Sequence, residues 1–331
     1  VRYKSFSSNV SKWMEKLIRA HQLSKAMSEV ERAQAGLIPM ESVEDTLGAL
    51  AEKHPAPIHE IEDTNTRVDN DENFSADQQK NLMEVIAKEI SRLPKERAQD
   101  IFGYRYEHFL MLNDNGAANF HKLVLLLATK TVHDAMVPYI TCSRLVAIPK
   151  KKGGIRPLGI GAVIYRIVGR VLASTLRPTI ARPNPDEPPQ VVVGKAGKTL
   201  LSEGQCGALV TGGQEILVHA TQAIMSKHPD WMFIEIDGVN AFNSLDRNTM
   251  FAGAKEIAPV LLPWLRTSYA QATPLVWVHN GVAYDHHAGQ PLLSQVGPRQ
   301  GCPLGSLLFC MGLHDLLRKV RTDFGVTNPN E

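Results

Sequence analysis

Residues 143–160, SRLVAIPKKKGGIRPLGI, break a chain whose apolar residues otherwise recur mostly at helical spacing. Two short β-prone runs flank a Lys-Gly-Gly turn, and Arg156-Pro157 opens the second run in extended backbone. LVWVHNGVAYDH (275–286) repeats the pattern, with Asn280-Gly281 able to take the positive φ of a two-residue hairpin. Hairpins set among helices rule out an all-helical bundle, so the fold class is predicted as α+β.

The remaining segments fit around these hairpins. Trp13, Leu17, Ala20, Met27 and Val30 give residues 10–35 a helical spacing, whereas the acidic, Pro- and His-broken stretch 41–74 reads as a linker or loosely held segment. Ser75 is placed to cap a helix running to 93, with Gln78 completing a capping box. Further helices are predicted over 117–136, from Ile164 to Leu172, and over 213–228. Two more lie within 247–269, split near Pro259 and Pro263. The five prolines of 178–200 mark an irregular loop, and 231–236 reads as a strand.

Of the 331 residues, 44% are hydrophobic and 21% charged, the balance of a chain that buries a core. A net charge of +2 supplies no chain-wide attraction to nucleic acid, so such a role must rest on local clusters. Cys142, Cys206, Cys302 and Cys310 show no metal-knuckle spacing, which argues against a structural zinc and fits free thiols in a reducing compartment. No apolar run is long enough to span a membrane, and no segment reads as a signal peptide. The chain opens on Val1 and is expected to belong to a longer reading frame.

Three clusters carry chemistry. In FIEIDGVNAFNSLDR (233–247), Asp237 ends an apolar run. It either caps the following turn or meets a positive partner, since an unpaired buried carboxylate is costly. Lys150, Lys151, Lys152 and Arg156 surround a flexible turn, suited to a polyphosphate or else a solvated hairpin tip. Arg299-Gln300-Gly301-Cys302-Pro303-Leu304-Gly305-Ser306, with two glycines and a proline, lets backbone approach a flat ligand and offers the Gln300 amide, or is an ordinary loop entering a helix. GKAGKT (194–199) lacks the first glycine of a P-loop, and His59-Glu60 lacks the second histidine of a zinc motif.

In that order the three clusters resemble the reverse transcriptases of non-LTR retrotransposons. IPKKKGGIRPLGIGAVIYRIVGRVLASTL is similar to the family's fingers segment, FIEIDGVNAFNSLDR to its first catalytic motif, and VGPRQGCPLGSLLFCMGLHDLL to its Gln-Gly motif, with Gly305 where serine is usual. LPKERAQDIFGYRYEHFLML (93–112) matches more loosely, and the likeness covers roughly 75–320. The resemblance implies a right-hand polymerase fold: an N-terminal helical extension over 1–74, fingers over 75–230 and a partial palm over 231–331. It implies an RNA-directed DNA polymerase acting on an RNA template, a DNA primer and dNTPs, in the nucleus and without a membrane. Asp237 would bind Mg²⁺. Gly238 and Val239 would offer backbone to the triphosphate, and Phe242 would exclude a 2′-hydroxyl. Lys150, Lys151 and Arg156 would hold phosphates, while Gln300 and Gly301 would floor the nascent base pair. The family's paired-aspartate motif does not occur before Glu331, so this segment alone is expected to turn over negligibly. The alternative is a non-catalytic remnant that binds nucleic acid.

Overall fold

The computed structural model describes residues 42–62, 74–150, 153–176, 205–208, 212–279, 282–286 and 289–324. The expected helix in 10–35, the proline-rich loop over 178–200, Lys151 and the Asn280-Gly281 turn lie outside them. The 41–74 stretch is not simply a linker. Val43–Glu52 forms helix α1, because Ser42 Oγ accepts from Asp45 N at 3.0 Å and Val43, Leu47 and Leu50 share a face. Helix α2 (Ala76–Ser91) starts at the expected capping box: Gln78 N donates to Ser75 Oγ, and Ser75 N donates to Gln78 Oε1 at 2.8 Å.

After the short α3 (Tyr106–Leu110) comes α4 (Asp114–Thr129), which ends seven residues before the expected 136. Thr129 Oγ1 bonds back to the Leu125 carbonyl at 2.8 Å and Lys130 is extended, so a run of β-branched residues closes the helix. The short α5 (Val137–Thr141) leads into β1 (Ser143–Pro149), which pairs antiparallel with β2 (Ile155–Gly161) in the register Ser143↔Gly161 to Pro149↔Ile155. Helix α6 (Val163–Thr175) has its first N–H held by Asp100 Oδ2 at 2.8 Å. Then come α7 (Gly213–Lys227), α8 (Arg247–Ile257) and α9 (Leu262–Tyr269), with a 3₁₀ turn at Pro259–Leu261 making the expected split. β3 (Thr273–His279), β4 (Val282–Tyr284) and β5 (Leu292–Ser294) precede α10 (Gly305–Gly312) and α11 (His314–Asp323).

The sheet runs β2-β1-β3-β4, with β3 parallel to β1, and β5 pairing antiparallel with the first half of β3. Helices α2, α4, α6, α8, α9 and α10 enclose a large core around Trp264, Tyr165 and Tyr269. A second core sits on the sheet, where Leu50 of α1 meets Leu145, Ile155, Leu275, Trp277 and Leu292. Leu50 is fully buried, a contribution of about 1.5–3 kcal/mol. Mixed helix and strand content bears out the α+β class.

The expected strand 231–236 is absent. The stretch is irregular, and Met232, Ile234 and Ile236 are 85%, 70% and 90% exposed. Its β-prone composition is insufficient because no described strand offers it a ladder of hydrogen bonds.

Candidate active site

A cleft of about 500 Å³ opens between the β1–β2 hairpin, the 237–242 loop and the Gln-Gly loop. It is lined by Lys150, Arg156, Asp237, Gly238, Phe242, Gln300 and Gly301, which are 151 residues apart at the extremes yet share one hollow. Val239 does not line it. Its side chain is 87% exposed and its carbonyl accepts from Ser244 Oγ at 3.4 Å.

The hairpin wall is closed by backbone at its turn. Lys150 N donates to the Gly154 carbonyl at 3.0 Å and Gly153 N to the Lys150 carbonyl at 3.1 Å. The φ values of +88° and +78° at Gly153 and Gly154 need residues without a Cβ. Lys150 and Arg156 both stay solvent-facing.

The Gln-Gly loop is docked on the same hairpin by backbone. Gly159 N of β2 donates to the Gln300 carbonyl at 2.7 Å, while Gly301, at φ +103°, approaches so closely that a Cβ would lie 2.3 Å from the Gly159 oxygen. Arg299 anchors the loop from behind. Its guanidinium is buried over the Tyr165 ring at 4.4 Å and donates to Ser143 Oγ at 3.0 Å and to the Thr141 carbonyl. Arg247 staples the approach to the loop, donating to the carbonyls of Gly297, Tyr269, Gln271 and Ser294. Burial pushes its pKa down to about 9, which leaves it charged at neutral pH.

The third wall is built differently. Asp237 is exposed and makes no hydrogen bond or ion pair with any described residue, so the turn-capping reading of this carboxylate fails. The chain turns at Asn240, which takes φ +53°, and enters a 3₁₀ turn over Ala241–Ser244. Phe242 stacks on Phe309 of α10, 5.1 Å between centroids and 5° between planes. A Cβ on Gly305 would lie 3.3 Å from the Phe242 ring, a physical reason for glycine where the motif usually carries serine. Lys53, Asn240, Ala241, Cys302 and Ser306 also line the cleft; Cys302 and Ser306 fall in the third cluster, but sequence reasoning gave none of the five a role.

Residues 148–328, more than half of the chain, match the family model for reverse transcriptase (RNA-dependent DNA polymerase). The chain belongs to the reverse transcriptase family. A protein of Xenopus laevis described as the transposon TX1 uncharacterized 149 kDa protein is 23% identical over 261 residues, 75% of this chain. The chain spans 18% of that relative's length. Residues 42–147, including α1 and nearly all of β1, lie outside the family match.

The family generally uses divalent metal, and the donor set can be tested against that. Among the described residues no cluster of three metal-ligating side chains occurs, and Asp237 is the sole carboxylate lining the cleft. One free carboxylate beside cations fits a Mg²⁺ that arrives on a triphosphate, because Mg²⁺ keeps most of its waters and needs one or two protein carboxylates. It does not by itself fit two permanently held ions. Among the described residues no single helix is long and apolar enough to cross a membrane.

Proposed function

We propose that the cleft is the nucleotide site of an RNA-directed DNA polymerase, which adds dNTPs to a DNA 3′ end on an RNA template. The observation that carries this reading is the free carboxylate of Asp237 sharing one hollow with Lys150, Arg156 and Gln300. On this reading residues 75–230 serve as fingers, 231–331 as part of a palm in a right-hand arrangement, and 1–74 as an N-terminal extension.

Phosphoryl transfer asks the protein mainly to position charge, so each wall has a simple task. Lys150, Lys151 and the Arg156 fork take the non-bridging phosphate oxygens. Gly238 presents backbone to the triphosphate. Phe242, held flat by Phe309, lies under the sugar and leaves no room for a 2′-hydroxyl. Gln300 and Gly301 form the floor for the base pair, rigid because Gly159 holds the Gln300 carbonyl. Asp237 would hold Mg²⁺, which when bound neutralises charge on the phosphates and the attacking oxygen.

Sugar selectivity tests the reading. The 331-residue chain should bind dCTP more tightly than CTP, and Phe242→Ala should erase the difference, at a cost of about 1–2 kcal/mol in urea denaturation from the lost stack on Phe309. Equal binding of both nucleotides by the unaltered chain would contradict the assignment. The rival, a remnant that binds nucleic acid without handling nucleotides, expects RNA binding that weakens steeply with salt and no dNTP binding.

A further inference from the structure

We propose that Lys53, at the C-terminal end of α1, is a further nucleotide-binding cation of this cleft, beside Lys150 and Arg156. The proposal rests on the nucleotide-site reading above. Lys53 lines the same hollow, is half-buried, and its ammonium has no hydrogen bond or ion pair with any described residue. A half-buried lysine left without an acceptor is placed for an anion that comes from outside.

Its position is fixed by its own backbone. The last carbonyls of a helix have no partner within it, and the Lys53 carbonyl instead accepts two side-chain amides: Asn240 Nδ2 at 3.1 Å and Asn243 Nδ2 at 2.8 Å. Both asparagines belong to the loop that carries Asp237. Upstream, Leu50 pins α1 into the sheet core beside Leu145 and Ile155, the base of the hairpin that carries Lys150 and Arg156. Downstream, the Asn248 side chain takes the Glu62 N–H at 3.0 Å and gives its amide to the Glu60 carbonyl at 3.0 Å, tying the strap to the start of α8. Residues 42–62 thus bridge the two walls, and Lys53 is where the bridge crosses the cleft.

Chemically the addition is specific. A triphosphate spreads several negative charges over three groups, and two cations from one hairpin reach it from one side only. A third, held at the loop that carries Asp237, would add a point charge from a different element. The contribution comes from a segment outside the matched family region, so it is a property of this chain's N-terminal part.

The test is a titration of the 331-residue chain with a fluorescent deoxynucleoside triphosphate. Four variants are compared: Lys53→Met, Lys53→Arg, Arg156→Met, and Lys80→Met on the exposed face of α2. Lys53→Met should weaken binding about fivefold, the size of one solvent-screened charge contact. Lys53→Arg should restore most of it, Arg156→Met should weaken it as well, and Lys80→Met should change nothing. Weakening by Arg156→Met alone would overturn the role of Lys53 and leave the nucleotide site standing. Equal loss in Lys53→Met and Lys53→Arg would also overturn it, since a merely structural role ignores charge. No binding by the unaltered chain would overturn both.

Discussion

The β1–β2 hairpin and the 231–239 stretch carry similar β-prone residues, and the molecule treats them in opposite ways. Leu145 and Ile155 are each 1% exposed and locked in a seven-residue antiparallel register, whereas Ile236 is 90% exposed and pairs with nothing described. The wall that carries Lys150 and Arg156 is therefore built into the core. The wall that carries Asp237 is held only from its far end, by Asn240, Asn243 and the Phe242–Phe309 stack. Rigidity is placed where backbone must fit closely, and the acidic wall is left accessible to solvent and ligand.

Four changes would break or sharpen that contrast. Gly301→Val should be the most damaging, because its φ of +103° and the Gly159 oxygen leave no space for a side chain. We expect a loss on the order of 4 kcal/mol by urea denaturation; a near-normal midpoint would mean that the Gln-Gly loop is not docked on β2. Leu50→Ala should cost about 3 kcal/mol and free α1 from the sheet, raising amide exchange over 43–53. Protection left intact there would mean that α1 is anchored by something other than the sheet core.

Acid should act at the same helix with a smaller effect. His54 Nδ1 lies 2.8 Å from the Leu50 carbonyl, and burial holds its pKa below the usual 6.5 despite that bond. The unfolded chain therefore takes up a proton that the folded chain resists, so stability is complete above pH 6.5 and falls as pH drops below it. His54→Gln should flatten that part of the pH profile, and an unchanged slope would exclude His54 as its source. At the other extreme, Ile236→Ser should shift stability by less than about 0.5 kcal/mol. A loss several times larger would show that the Asp237 wall is packed after all.

The sequence exposes local structure wherever a short-range device writes it. The Ser75-Gln78 capping box, the Pro259 and Pro263 split, and the Gly153-Gly154 turn each lie within a few residues of their effect. The convergence of Asp237, Arg156 and Gln300 was legible only through the family motifs, since no local rule brings distant residues to one cleft. Trp231–Ile236 misleads because a strand is a relation between two segments, and composition describes one. Lys53 was hidden for another reason. The Ser42-x-x-Asp45 cap and the Val43, Leu47, Leu50 spacing were present, but the surrounding acids and prolines made the stretch look like a linker. Arg247 and Arg299 show a further limit: both are buried on carbonyls, hydroxyls and rings, partners that a tally of opposite charges never finds.

The most direct test of the account is the Mg²⁺ dependence of dNTP affinity in the 331-residue chain and in Asp237→Asn. If Asp237 meets the metal that rides on the triphosphate, Mg²⁺ should tighten binding by about tenfold in the unaltered chain and by almost nothing in the variant, with affinity in EDTA unchanged or improved. An equal Mg²⁺ gain in both proteins would contradict the role of Asp237.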